Sequence, residues 1–467
     1  MWIPDIEALQ GPIYLAIADA LETDIRTGTL AQGDRLPPQR ELAYQLGVTL
    51  GTITRAYGEA ERRRLVKGET GRGTYVASET QKVSPLIPKE DEPESVDLAR
   101  NFAYPHLNPS LSDGLVRMAR TVGIDRLNGF VPSEGLKAHR ETGVLVFKDY
   151  GLEADPARIA VTCGAQHGIQ VTCQTLFRSG DAVAVDRFTY PSIFNSFASL
   201  GLKPVPLPAL LREDGGFGAM DPEALAQAVK SHGVKGVFLM PNMQNPTTHT
   251  MSVEERQDLV RVARAHDLKI VEDDPYTPFI PEILPAFGAL APERTASIAS
   301  ISKVCSPGSR IGFVHVPASF GDSIRNKIGE STWMASPITA ELIAGWVREG
   351  HLFKTLRLKR KANRERFLNA SRILAPHFLQ GGVSKVFGWL RLPVGVDPDA
   401  IQAALGHQGV AVLSSRYFQV GGQTPAPYLR LTFGSEESDE RFCGALERVR
   451  ATIDQLADLP ALTRPVG

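Results

Sequence analysis

The sequence has little cysteine: four residues in 467, scattered at Cys163, Cys173, Cys305 and Cys443 with no C-x-x-C pair and no histidine cluster nearby. That pattern excludes a disulfide framework and a zinc site, and implies reduced, mostly buried thiols with no bound metal. Net charge is also lacking, since 51 basic residues stand against 52 acidic ones. Long apolar runs are missing. None approaches the roughly 18 residues of a membrane span, and Met1-Trp2-Ile3-Pro4-Asp5-Ile6-Glu7 has neither the basic start nor the apolar core of a signal peptide. The expectation is a cytoplasmic protein without a membrane partner. Internal repeats and low-complexity tracts are absent as well. What remains is an ordinary globular composition, 43% hydrophobic and 22% charged, long enough for roughly two to four domains.

Residues 1–77 read as a small unit. Ile13, Ile17, Leu21 and Ile25 recur on one face of a helix. Leu42, Ala43 and Leu46 give a short second helix stopped by Gly47. Thr49 caps a third, whose inner stripe is Ile53, Ala56, Tyr57 and Ala60 and whose outward residues near the start are Thr52, Thr54 and Arg55. Val66 to Val76 then reads as a hairpin with a Gly-rich tip carrying Arg72. Three helices and a two-stranded wing describe a winged helix-turn-helix, with the third helix entering a major groove. Between Arg35 and Arg72 eight basic residues face four acidic ones. One module with so local a patch binds DNA weakly, so a dimer on two half-sites is expected.

Residues 78–96 have the Pro, Glu, Lys and Ser content of a linker. From residue 97 to 467 short β-type runs alternate with helix-length segments: Ile159 to Thr162, Ala182 to Asp186, Gly236 to Met240, Lys269 to Glu272, Ala296 to Ile301 and Ile311 to Val316. This predicts an α/β domain with a mainly parallel, helix-covered sheet. A smaller α/β lobe follows, mainly over 350–467.

In such sheets ligands sit at the carboxyl ends of strands. Lys303 ends one apolar run, with Ser300 and Ser302 before it and Arg310 after it. A lysine held out of water beside another cation loses its proton readily and becomes a nucleophile or imine former. At the other strand ends stand Gly164-Ala165-Gln166 before a helix, Tyr190-Pro191, Asn245-Pro246-Thr247 and Asp273-Asp274-Pro275-Tyr276. Arg430 lies inside a late apolar strand, where an arginine usually pairs with a carboxylate.

Leu36-Pro37-Pro38-Gln39-Arg40-Glu41-Leu42-Ala43 and Gly71-Arg72-Gly73-Thr74-Tyr75-Val76 resemble the N-terminal domains of the GntR family. That resemblance implies DNA contacts at Arg40, Thr52, Arg55 and Gly73, with Arg35 and Arg72 on phosphates. The order Gly-Ala-Gln, Tyr-Pro, Asn-Pro-Thr, Asp-x-x-Tyr, Ser-x-Ser-Lys and a late Arg resembles the fold-type I aminotransferases, the PLP-dependent transferase fold. It implies pyridoxal 5′-phosphate as an internal aldimine on Lys303, and Asp273 on the ring nitrogen. Asn245 and Tyr276 would meet the 3-oxygen, and Tyr190 would stack on the ring. Gly164, Ala165, Gln166, Ser300, Ser302 and Arg310 would hold the phosphate, and Arg430 an effector carboxylate. Two positions depart from that pattern. Thr248 stands where glycine is common, and Phe130 where a tyrosine often reaches the neighbouring subunit's phosphate.

Together the two halves resemble the MocR/GabR regulators. The resemblance implies a head-to-tail homodimer binding double-stranded DNA, in which an amino acid or related amine is sensed through external aldimine formation, with at most weak transaminase activity. A working aminotransferase, and a regulator that senses pyridoxal phosphate itself, are the alternatives.

Overall fold

The computed structural model describes residues 2–4, 12–27, 30, 34–62, 65–69, 73–76, 95–102, 104–121, 123–375, 377–421 and 426–458. The chain divides into two units, Met1–Ser84 and Pro85–Gly467.

In the first unit the helices are Ile13–Thr27, Gln39–Gln45 and Leu50–Arg62, followed by the antiparallel pair Val66–Glu69 and Gly73–Val76. The inner stripe of the third helix is as expected: Ile53, Ala56, Tyr57 and Ala60 are all buried against Ile17, Leu21 and Leu42. Ile13 keeps the period of that face yet is 49% exposed. The Tyr57 hydroxyl donates to the Pro37 carbonyl at 2.8 Å, which ties the third helix to the entry of the second. Residues 34–36 pair with the hairpin through Leu36 N to Thr74 O and Val76 N to Asp34 O, both 2.8 Å.

The second unit is built on a seven-stranded sheet in the order Ile159–Thr162, Gly312–His315, Thr295–Ser300, Lys269–Asp274, Val234–Leu239, Ala182–Asp186, Lys203–Leu207. Only Gly312–His315 runs antiparallel to its neighbours. The β-branched runs are buried on both faces, as a helix-covered sheet requires. Lys203–Leu207 carries Pro204 and Pro206, which argue against a strand by sequence. Its place at the sheet edge resolves this, since proline's missing N–H is tolerated there.

The smaller lobe holds the antiparallel sheet Leu379–Gln380, Phe387–Arg391, Tyr428–Thr432, Leu413–Ser414. The helices Pro398–His407 and Asp439–Asp458 and part of His351–Leu374 cover it. Val96–Asp97 pairs in parallel with Val410–Ala411, so a strand begins inside the segment read as linker; Val96 is buried in this lobe's core. Residues 78–94 of that linker lie outside the described residues. No helix among the described residues is long and apolar enough to cross a membrane.

His315 sits in the large core with neither ring nitrogen hydrogen-bonded. Burial lowers it to about 4, so the unfolded chain takes up this proton first as pH falls. The protein is expected to lose stability as pH drops from the ordinary histidine range near 6.5 towards 4, by up to about 3 kcal/mol from this group. Urea denaturation of His315→Leu and the wild type checks this: the wild type's disadvantage should widen over that interval and stay constant above pH 7.

Candidate functional site

The parallel strands end on one side of the sheet, and the single antiparallel strand begins there. Gly312 pairs with both Thr162 and Ser300, which brings Arg310, two residues before it, to the same edge. A Cβ on Gly312 would stand 2.8 Å from the Gly164 carbonyl carbon. This glycine therefore permits the close approach of the turn ahead of helix Ala165–Leu176. Gly164 has φ +82°, and a Cβ there would lie 2.8 Å from Arg310 Nη2. Helix N-terminus, bare glycine and guanidinium together form an anion cradle. Ser302 Oγ and Gln166 Oε1 are buried without hydrogen-bond partners. Ser300 is buried beside them, its Oγ accepting from Ser302 N at 3.3 Å, and Gln166 Nε2 donates to Ser196 Oγ at 2.8 Å.

Asp273 pairs with Ile298 across the strands Lys269–Asp274 and Thr295–Ser300, close to where Lys303 emerges. Its Oδ1 is buried with no partner. Burial, and then the charge of Asp274, push Asp273 up to about 7. Asp274 is satisfied instead, by Asn242 and Thr277. Burial and the Arg430 charge lower Lys303 to about 8. Its Nζ donates to the Asn101 carbonyl at 2.7 Å. Burial also lowers Arg430, to about 10; it donates to Asn245 Oδ1 at 3.4 Å and to the Ala99 carbonyl, while its Nε has no partner. Phe387 and Phe418 lie 5.7 and 5.1 Å from its guanidinium carbon.

Tyr276 is buried, its hydroxyl accepting from Asn101 Nδ2 at 2.7 Å. Tyr190 is within electrostatic reach of Asp273, Arg310 and Arg430. Asn101, Ala99 and Phe418 belong to this cluster and carry no signal in the sequence. Asn101 meets residues 175 and 202 positions away, and no spacing encodes that. Thr248, where glycine was the common residue, holds the left-handed backbone at φ +66° and is buried. Phe130 is 80% exposed, its ring 5.1 Å from that of Trp333.

In the first unit Arg35 and Arg40 are exposed, and a Cβ on Gly73 would meet Arg35 Nε at 2.9 Å. Arg55 is exposed at the helix surface with its guanidinium 4.5 Å over Tyr14. Thr52 is half-buried beside the Thr49 cap. Arg72 lies outside the described residues.

Residues 102–446 match the model of the aminotransferase class I and II family, and residues 13–76 that of bacterial regulatory proteins of the gntR family. The HTH-type transcriptional regulator YdeF of Bacillus subtilis is 28% identical over 97% of both chains. The probable rhizopine catabolism regulatory protein MocR of Rhizobium meliloti is 27% identical over 76% of each. Among solved structures, the Pyrococcus horikoshii kynurenine aminotransferase superposes with a TM-score of 0.71 at 23% identity, covering 82% of this chain and 96% of its own.

An isolated buried acid opposes folding once it ionises, so Asp273 contributes less stability as pH rises from near 4 through 7. Asp273→Asn is expected to stabilise the cofactor-free chain at pH 8 by on the order of 2 kcal/mol, and by much less at pH 5. Equal effects at the two pH values in urea titrations would contradict the unpaired-acid assignment.

Proposed function

Because the chain belongs to the aminotransferase class I and II family and carries a gntR-family regulatory domain ahead of it, we propose that it is a DNA-binding transcription regulator whose aminotransferase domain senses an amino compound with bound pyridoxal 5′-phosphate. The carrying observation is the unpaired Asp273 Oδ1 opposite the cradle of Gly164 and Arg310, which suits a cationic ring nitrogen at one end and a phosphate at the other. When bound, this cofactor supplies an electrophilic carbon that condenses with Lys303 and, in its place, with an effector amine.

In this reading Asp273 keeps the ring nitrogen protonated, because a nearby carboxylate favours the charged form. Arg310, Ser300, Ser302 and the N–H groups of Ala165 and Gln166 hold the phosphate. Tyr190 stacks on the ring, and Asn245 and Tyr276 orient it. Arg430, with Nε free and two aromatic rings beside it, takes a carboxylate on the effector. The lowered Lys303 releases its proton near neutral pH, which suits an exchangeable amine.

The segment after the linker links site to regulator. Lys303 donates to the Asn101 carbonyl and Arg430 to the Ala99 carbonyl, so a ligand that engages either donor takes it from residues 99–101. Those residues continue the strand at Val96–Asp97, next to the linker. The DNA-binding unit acts as a dimer on two half-sites, with Arg40, Thr52, Arg55 and Gly73 at the groove and Arg35 and Arg72 on phosphates.

The test is a DNA-binding assay with promoter fragments from the protein's own and neighbouring genes. Affinity is expected to change with pyridoxal phosphate plus an amine, and not with either alone. Ordinary transaminase turnover without DNA binding would instead establish a metabolic enzyme, and a response to the cofactor alone a sensor of the cofactor. Lys303→Ala should abolish the visible absorbance of the bound cofactor and the amine response while leaving basal DNA affinity intact. Arg35→Ala should weaken binding and reduce the salt slope by about one per chain. Hydrogen exchange over residues 95–102 should rise when both ligands are bound; unchanged protection with DNA affinity altered would remove this segment from the signal path.

A further inference from the structure

Away from the Lys303 cluster, a cavity of about 200 Å³ lies between the exit of strand Ala182–Asp186, the 241–247 turn and the Ala209–Leu211/Phe217–Met220 hairpin. Its lining includes Asp186, Gln244, Phe188, Phe217, Pro208 and Ala209. Asp186 is 7% exposed. One oxygen accepts from Gln244 Nε2 at a long 3.3 Å, and Oδ1 accepts no hydrogen bond among the described residues. Gln244 can give no more. Its Nε2 is held by the Phe188 carbonyl at 2.6 Å, and its Oε1 accepts from Thr247 N and Oγ1. A carboxyl group in an apolar cavity with an open acceptor atom lacks a partner that the protein does not provide.

We propose that this cavity is a second ligand site, for a small organic cation with a planar apolar body whose amidinium or ammonium head pairs with Asp186. The carboxylate at the floor, once ionised, disfavours anions. A guanidinium or amidinium matches a carboxylate with two parallel N–H bonds. The walls suit the body: the rings of Phe188 and Phe217 meet edge to face at 5.5 Å. At the rim the Arg187 guanidinium lies 5.8 Å over the Phe188 ring and occupies that face. Burial raises Asp186 to about 7, a cost that an arriving cation offsets. The volume lies below the roughly 300 Å³ at which drug-sized sites begin, so the occupant is small.

A chain of packed rings runs from the cavity towards Arg430. Phe188 packs on Trp389 at 5.7 Å, Trp389 on Phe418 at 5.8 Å, and Phe418 flanks Arg430. Gln244 directly precedes Asn245, which takes the Arg430 hydrogen bond. The proposal stands whether or not Lys303 carries a cofactor.

The test uses the full chain saturated with pyridoxal phosphate, and benzamidine as a cation that carries no primary amine. Calorimetry is expected to show saturable binding, one per chain, unaffected by the phosphate cofactor, and none for benzoate, the isosteric anion. Asp186→Asn should weaken benzamidine at least about tenfold, and Ala209→Leu, which narrows the cavity without touching the charge, should weaken it as well. Absence of saturable binding, equal affinity for benzoate, displacement by pyridoxal phosphate, or full affinity in either folded variant would overturn the assignment.

Discussion

The second unit gathers three ionisable groups in one cleft, Asp273 and Arg430 buried and Lys303 half-buried, without pairing them to one another. Asp273, Lys303 and Arg430 arrive from three strand ends or interiors, and each is shifted towards neutrality by burial. In a core optimised for stability alone such groups would be paired or absent, since an unpaired buried charge costs several kcal/mol. Here Asp273 Oδ1 and Arg430 Nε have no partner, and Lys303 has a single carbonyl. The sheet pins the first two of these groups. Strand register fixes Asp273 beside the strand leading to Lys303, and the one antiparallel strand delivers Arg310 to the same edge. The unsatisfied valences therefore stand together in the cleft by construction, and the proposed ligand would complement them.

The same accounting gives residues 99–101 their meaning. Backbone carbonyls in a loop entering a domain are ordinarily satisfied by water or by turns. Those of Ala99 and Asn101 instead accept from the two cations of the cleft, and that of Arg100 from Ser435. These are the donors that the proposed ligand would claim. A ligand shifts such an equilibrium only by binding the two arrangements differently, and competition for one donor is a direct source of that difference.

The large sheet was legible because each central strand is a short buried β-branched run with a helix-length segment after it, and the candidate cluster was marked out because most of its members stand at or near strand ends. Lys303, Asp273, Tyr276, Asn245 and Arg430 do converge. What escaped the sequence has physical reasons. Lys203–Leu207 hides behind two prolines that only an edge position tolerates. Asn101 meets Lys303 through its backbone carbonyl, which any residue type carries, and Tyr276 through a side chain 175 positions away in sequence. Ile13 keeps helical period yet lies beyond the core's edge, since periodicity gives the face of a helix and not the length over which it is covered. Asp186, read as the end of a strand, gave no sign that its carboxyl would be left short of partners.

Thr248 sharpens the distinction between stability and function in this cleft. A β-branched residue in the left-handed region costs about 1–2 kcal/mol, and glycine would remove that cost. Met243, in the same turn, and Arg310 are also at positive φ. Strained turns persist where surrounding contacts over-determine them. Thr248 N is held by the Gln244 carbonyl at 2.7 Å, and the Gln244 side chain is fixed by Phe188 and Thr247. The turn carrying Asn245 is thus clamped by the residue that also walls the Asp186 cavity. Gln244 directly precedes Asn245, so the same turn places the amide that meets Arg430 and one wall of the cavity.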